Sequence, residues 1–193
     1  MFRRKVLTAM SELRKKRKEK EVKEWIISIV VVVIIALIVR NFIVCPVMVK
    51  GSSMEPNFHH GDIVLANRLE YIVSEPERND IVICDYSAST GEKHIIKRVI
   101  GVEGDTIDFQ WTDHMYYKLV LNGEVIDEDY TKEDMYFLGD MSFPYTVPED
   151  CYFVMGDNRN DSNDSRYVAV GPIKKSDMIG KVFVSLKPFR VID

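Results

Sequence analysis

Cysteine is scarce: the 193-residue chain has three, Cys45, Cys84 and Cys151. An odd number so widely spaced excludes a disulfide framework and lacks the spacing of zinc ligands. Histidine is nearly as rare, with four residues, and no His/Cys/Asp grouping has ligand spacing, so neither a metal nor a cofactor is expected. No internal repeat or low-complexity tract occurs, which excludes solenoids and disordered polymers. Beyond residue 24 basic side chains are in deficit, with sixteen Lys/Arg against twenty-six Asp/Glu and a net charge of −10. A folded part this acidic excludes a general nucleic-acid binder.

The first 24 residues are the opposite, with ten Lys/Arg against four Asp/Glu and a net charge of +6. Residues 25–44 follow, of which eighteen are neither charged nor strongly polar, and Arg40 is the only charge. The stretch is apolar on all sides. At 1.5 Å per residue, about 20 residues cover the roughly 30 Å hydrocarbon layer of a bilayer, with Trp25 at one interface and Arg40 snorkelling to the headgroups. A cleaved secretory signal is the competing reading. The long basic segment, the length of the apolar stretch and a Val44-Cys-Pro-Val exit without small residues favour an uncleaved anchor. The positive-inside rule then places residues 1–24 in the cytoplasm and 45–193 outside the cell membrane. The cluster Arg14-Lys-Lys-Arg-Lys18 sets that orientation and touches anionic lipid.

After the anchor, short β-branched runs alternate with turn residues, at 43–49, 62–66, 80–85, 94–100, 106–109, 118–121, 152–155 and 181–186. Their length and spacing predict a mostly β domain, an antiparallel sheet or barrel behind one N-terminal transmembrane helix. Leu121-Asn-Gly-Glu124 is a type I′ hairpin signal. Residues 108–150 are acid-rich and motif-poor, and are expected to form a small insertion on the main sheet. Cys84 and Cys151 fall in strand-like runs and are expected to be buried; Cys45 lies at the membrane surface.

Chemistry gathers in three places. Lys50-Gly-Ser-Ser-Met-Glu-Pro56 follows the first outer strand, where a tight turn can present a serine hydroxyl and Pro56 sets the exit direction. Taken alone it is also an ordinary turn. In His94-Ile-Ile-Lys97-Arg98-Val-Ile-Gly101, two-residue alternation puts Lys97 on one face with Ile95 and Val99, and His94, Ile96 and Arg98 on the other. If that face is solvated, Lys97 is a surface cation. If it is buried, the amine is pushed towards its neutral form and becomes a usable general base. His94 reads as structural or surface. The third place, Gly156-Asp-Asn-Arg-Asn-Asp-Ser-Asn-Asp-Ser-Arg166, is dense in hydrogen-bonding side chains. A calcium loop fails there, with Arg159, Ser162 and Val168 where ligand, Gly and Glu belong. Asn160-Asp-Ser162 and Asn163-Asp-Ser165 match glycosylation acceptors, a common coincidence. A rigid loop held by its own Asp–Arg pairs is the better physical reading.

The three segments in this order, behind one anchor, resemble bacterial type I signal peptidase of the Gram-positive form. Asp62-Ile-Val-Leu-Ala-Asn67 and Arg78-Asn-Asp-Ile-Val-Ile83 are similar to the family's intervening strands, and the resemblance runs to about Gly180. It implies a membrane-anchored Ser–Lys endopeptidase that removes signal peptides from exported preproteins at the outer membrane surface. Carried onto matching positions, it makes Ser53 the nucleophile, Lys97 the general base and Ser162 the residue that hydrogen-bonds and orients the lysine. Asp164 and Arg166 become a supporting ion pair, and Gly156 and Asp157 shape the floor. The family's second oxyanion donor, a hydroxyl two residues before the nucleophile, falls on Gly51. The peptide is expected to add as a strand beside 48–50 and 92–95, with Met48, Val49, Lys50, Gly51, His94 and Ile95 receiving it. The alternative class is a non-catalytic, membrane-tethered β-domain that binds partners, in which Ser53 and Lys97 lie far apart. A self-cleaving repressor of related fold needs a DNA-binding head, for which residues 1–24 are too short.

Overall fold

The computed structural model describes residues 2–38, 43–85 and 94–192. The chain divides into two units at residue 42. The first is one helix, α1 (Phe2–Ile38). Every residue from Trp25 to Leu37 in it is exposed, including Trp25, Ile26 and the Val30-Val-Val-Val33 run. Among the described residues no helix is long and apolar enough to cross a membrane. The stretch expected to do so includes residues 39–42, which lie outside the described residues.

The second unit is mostly β and antiparallel, with its strands β1 (Val44–Met48), β2 (Ile63–Asn67), β3 (Ile81–Asp85), β4 (His94–Gly101), β9 (Cys151–Met155), β10 (Ile173–Lys174), β11 (Met178–Lys187) and β12 (Phe189–Val191) in one sheet. Their order is β1-β2-β11-β3-β4-β9-β10, with β12 pairing β11. A second sheet holds β5 (Thr106–Trp111), β6 (Tyr117–Leu121), β7 (Glu124–Val125) and β8 (Tyr145–Thr146), ordered β7-β6-β5-β8. A one-turn helix, α2 (Glu70–Val73), follows β2.

Alternation explains why the central strands read as unbroken apolar runs. Along β3, Ile81 and Ile83 enter one core cluster and Val82 and Cys84 another. Along β9, Tyr152 and Val154 join the Cys84 cluster, while Cys151, Phe153 and Met155 pack under the second sheet. Strands covered on both faces have no solvent side to carry polar residues. Each large side chain so buried stabilises the fold by about 1.5–3 kcal/mol. Both central residues of the 121–124 turn have positive φ, 54° at Asn122 and 86° at Gly123, as a type I′ turn requires, and Leu121 pairs with Glu124.

The sheet order matters for the chemistry. It sets β1 at one edge and β4 inside, paired to β3 on one side and β9 on the other. The loop after β9 therefore emerges beside the strand that carries Lys97. In the register Lys97 lies opposite Val82, and Arg98 opposite both Ile81 and Met155.

Candidate active site

Lys97 is 3% exposed, so its face of β4 is a buried one. Its Nζ donates a 2.7 Å hydrogen bond to Ser53 Oγ, from a residue 44 positions earlier in the chain. Burial is the largest influence on this amine and brings its pKa below the ordinary lysine value. Asp164 and Asp157 pull the other way, and Arg166 adds to the lowering. A buried amine that gives up its proton this readily, beside a hydroxyl, can take the hydroxyl's proton. Burial likewise pushes the Cys84 thiol up to about 12, which leaves it an inert neighbour.

Ser53 sits in the turn that follows β1. Gly51 opens it with φ 81°, a conformation that favours glycine, and its N–H donates to His60 Nδ1 at 3.2 Å. The loop after β9 clamps the far side. Asn158 N donates to the Ser53 carbonyl at 3.0 Å and Asn158 Nδ2 to the Ser52 carbonyl at 3.2 Å. The Ser52 hydroxyl donates to Asp161 Oδ2. Gly156 comes so close that a Cβ there would collide with the Ser53 carbonyl oxygen and the Ser162 hydroxyl. Among the described residues the Ser53 N–H has no hydrogen-bond partner.

Beneath the turn the loop is held by buried ion pairs. Arg166 meets both oxygens of Asp164 at 2.8 Å, and the Gly156 N–H donates to Asp164 Oδ2 at 3.0 Å. Burial alone pushes the Asp164 carboxyl up, but Arg166, the Gly156 amide and Lys97 together hold it below the usual carboxylate range. Asp157, fully buried, takes both Nε and Nη2 of Arg98 at 2.8 Å, and the Arg98 guanidinium lies 4.0 Å over the Tyr130 ring. Arg159 pairs with Glu128 at 2.6 and 2.7 Å.

A cleft of about 440 Å³ runs from β1 to β4 with Ser53 and Lys97 in its wall. Met48, Val49, Lys50, His94 and Ile95 line it as well. Gly51, expected with them, is not in the lining, and its N–H is taken up by His60. Residues 92 and 93, expected at the same edge, lie outside the described residues. His94 is exposed on the cleft rim, 4.0 Å from Asp85 on the paired strand. The hydrogen bond expected from Ser162 to Lys97 is not formed among the described residues. Ser162 Oγ is buried without a partner, in the space that a Cβ at position 156 would need.

The whole arrangement falls within one family match: residues 22–187 fit the model described as signal peptidase, peptidase S26. This chain belongs to that family. It is therefore a serine endopeptidase that cleaves signal peptides. A signal peptidase I from Bacillus amyloliquefaciens is 36% identical over 190 residues, covering 94% of this chain and 97% of that protein. Signal peptidase IB from Staphylococcus aureus is 35% identical over 186 residues, covering 89% and 92%. A solved signal peptidase I chain from Enterococcus faecalis matches at 29% identity over 56% of this chain and 97% of that one, with a TM-score of 0.42.

Several residues of this peptidase site carry no distinguishing sequence signal. Asn158 and Asp161, which grip the turn, lie in a loop where nearly every residue is polar, so nothing local separates them from their neighbours. Tyr130, Glu128 and Asn57 come from elsewhere; Asn57 Nδ2 donates to Asp157 Oδ2 at 2.8 Å. Arg98 is visible in the sequence as the neighbour facing away from Lys97, but its partner lies 59 positions on, and no local pattern points to it.

Proposed function

We propose that Ser53 and Lys97 are the catalytic pair of this signal peptidase, acting from a single-pass anchor. The observation that carries the reading is the 2.7 Å contact between an amine of lowered pKa and a turn serine, in the wall of an open cleft. It also speaks against a purely binding domain, which has no reason to bury a lysine against a hydroxyl. The peptide lies along β1 and β4 as an added strand, with small side chains preferred at the first and third positions before the cut. Neutral Lys97 takes the Ser53 proton as Oγ attacks the scissile carbonyl. The Ser53 N–H, uncommitted among the described residues, faces the developing oxyanion. The resulting ammonium then protonates the departing amine. The acyl-serine ester left behind is hydrolysed by a water that gives its proton to the same lysine. Position 51 is glycine and offers no hydroxyl, so a second oxyanion donor is a backbone amide or water. The Asp164–Arg166 pair with Gly156 and Asp157 builds the floor.

The pH profile tests the base directly. Cleavage of an Ala-x-Ala peptide by the detergent-purified protein should rise with pH as Lys97 loses its proton, with a midpoint below the ordinary lysine value of about 10.4. A midpoint at or above that value removes Lys97 from the role.

The anchor is residues 25–44, with 1–24 cytoplasmic, 45–193 outside, and a small insertion at 108–150. In support, the helix from Trp25 to Leu37 exposes apolar side chains on every face, a surface suited to lipid. The basic cluster beside it meets anionic headgroups. Protease added to intact spheroplasts should digest the β unit and spare the N-terminal segment. Protection of the β unit reverses the orientation.

A further inference from the structure

Among the described residues, two of the three direct ties between the loop after β9 and the Ser52-Ser53 turn are made by Asn158 to backbone carbonyls. The third is the Ser52 hydroxyl on the Asp161 carboxylate. Carbonyl ties fix where the chain runs. The Ser52 carbonyl and the Ser53 N–H share one peptide plane, whose carbonyl end accepts from Asn158 Nδ2 and also from the Glu55 N–H at 3.0 Å. The Ser52 side chain adds a hold at the Cα end of the same plane, through its hydroxyl on Asp161. Asp161 is itself fixed, because its N–H donates to the Asn158 carbonyl at 3.1 Å and closes a tight turn. One turn thus supplies two donors from Asn158 and one acceptor from Asp161. An ionised acceptor makes this the strongest kind of side-chain hydrogen bond to a hydroxyl.

We propose that Asp161 is a positioning residue: by holding the Ser52 hydroxyl it fixes the Cα end of the Ser52-Ser53 peptide, whose carbonyl end Asn158 holds, and with it the aim of the Ser53 hydroxyl and amide. This rests on the reading of Ser53 as nucleophile. Nucleophile and oxyanion donor then leave the same short segment, so a small rotation there misplaces both. Misplacement of about 1 Å is enough to lower a rate about 100-fold. The peptide-binding wall along β1 and β4 is untouched, so the effect falls on turnover and not on binding.

The test is steady-state cleavage of the Ala-x-Ala peptide by full-length variants in detergent. Asp161→Ala and Ser52→Ala are each expected to lower kcat about 10- to 100-fold with KM changed by less than about twofold. The double variant should be no slower than the slower single. Asp161→Asn and Ser52→Thr, which keep acceptor and donor, should recover kcat to within about threefold of the parent. Parental kcat in the alanine variants overturns the proposal, as does a loss confined to KM, multiplication of the losses in the double variant, or Asp161→Asn as slow as Asp161→Ala. Where Asp161→Ala fails to fold, Ser52→Ala with Asp161→Asn settles the same question. Ser53→Ala and Lys97→Ala run alongside. Activity in those removes the reading on which the proposal rests, whereas dead controls beside a fully active Asp161→Ala remove the positioning role alone.

Discussion

Ser53→Ala and Lys97→Ala are each expected to reduce preprotein cleavage by about 10⁴- to 10⁶-fold, and the double variant to be no worse than either single. The reason is that in the proposed mechanism the two atoms perform one act. A hydroxyl without a base is a poor nucleophile, and a base without the hydroxyl has nothing to activate. Lys97→Arg should fail equally, since a guanidinium cannot release its proton at usable pH. Lys97→Met separates catalysis from folding. Burial lowers the pKa of Lys97 in the folded protein, so the unfolded chain holds the proton more tightly. That costs stability in full below the folded pKa, and the cost fades as pH rises towards the unfolded value of about 10.4. The inactive Lys97→Met variant should therefore melt above the parent at neutral pH, and the gain should shrink at high pH. Full cleavage by a folded Lys97→Ala variant, measured on the detergent-purified protein, refutes the pair. A Lys97→Met variant that melts lower at neutral pH shows instead that the buried amine is not under strain.

What can be read from sequence is whatever local chemistry decides. The long strands announce themselves because alternation or a continuous β-branched run leaves few options. The eight runs correspond to β1 to β6, β9 and β11, with no end moved by more than three residues. The 121–124 turn follows from the tolerance of Asn and Gly for positive φ. By contrast β7, β8, β10 and β12 span two or three residues each, too short to carry a period, and exist because a neighbouring strand offers them hydrogen bonds. The helix α2 is a single turn of Glu70-Tyr-Ile-Val73, held by a buried tyrosine whose hydroxyl reaches Asp80, and its β-branched residues point the other way on propensity. At the site, Ser53 and Lys97 are legible as a turn serine and a lysine between apolar neighbours, but their approach across 44 residues is a property of sheet order. The same limit applies to Arg98 with Asp157 and Arg159 with Glu128, pairs that join the loop after β9 to β4 and to the segment after β7.

The largest effect on stability is expected at Asp164. Both members of its pair are buried, Asp164 fully and Arg166 to within 1%. Asp164→Ala leaves a guanidinium that cannot neutralise itself, met among the described residues by neutral acceptors, the Arg159 and Phe137 carbonyls at 2.7 and 2.9 Å and the Met135 sulfur at 3.4 Å. Breaking a buried pair in this way costs about 3–5 kcal/mol, which lowers the melting temperature by roughly 10 °C in a domain of this size. Arg166→Met should cost less, because the carboxyl that remains can take up a proton. The pH dependences then have opposite signs. In the parent Asp164 is held below the usual carboxylate range, so its contribution is present above about pH 4 and is lost as pH falls through the folded pKa. In Arg166→Met burial dominates and raises that pKa, so the variant's deficit should shrink as pH is lowered from 7 towards 5. Catalysis reports on the same charges. Asp164 strengthens the hold of Lys97 on its proton and Arg166 weakens it. The acid limb of the cleavage profile should therefore move to lower pH in Asp164→Ala, and to higher pH in Arg166→Met where Asp164 is ionised. Thermal melts and pH profiles of the two variants decide the matter: parental melting in Asp164→Ala refutes the structural role of the pair, and limbs that stay in place refute its electrostatic reach to the lysine.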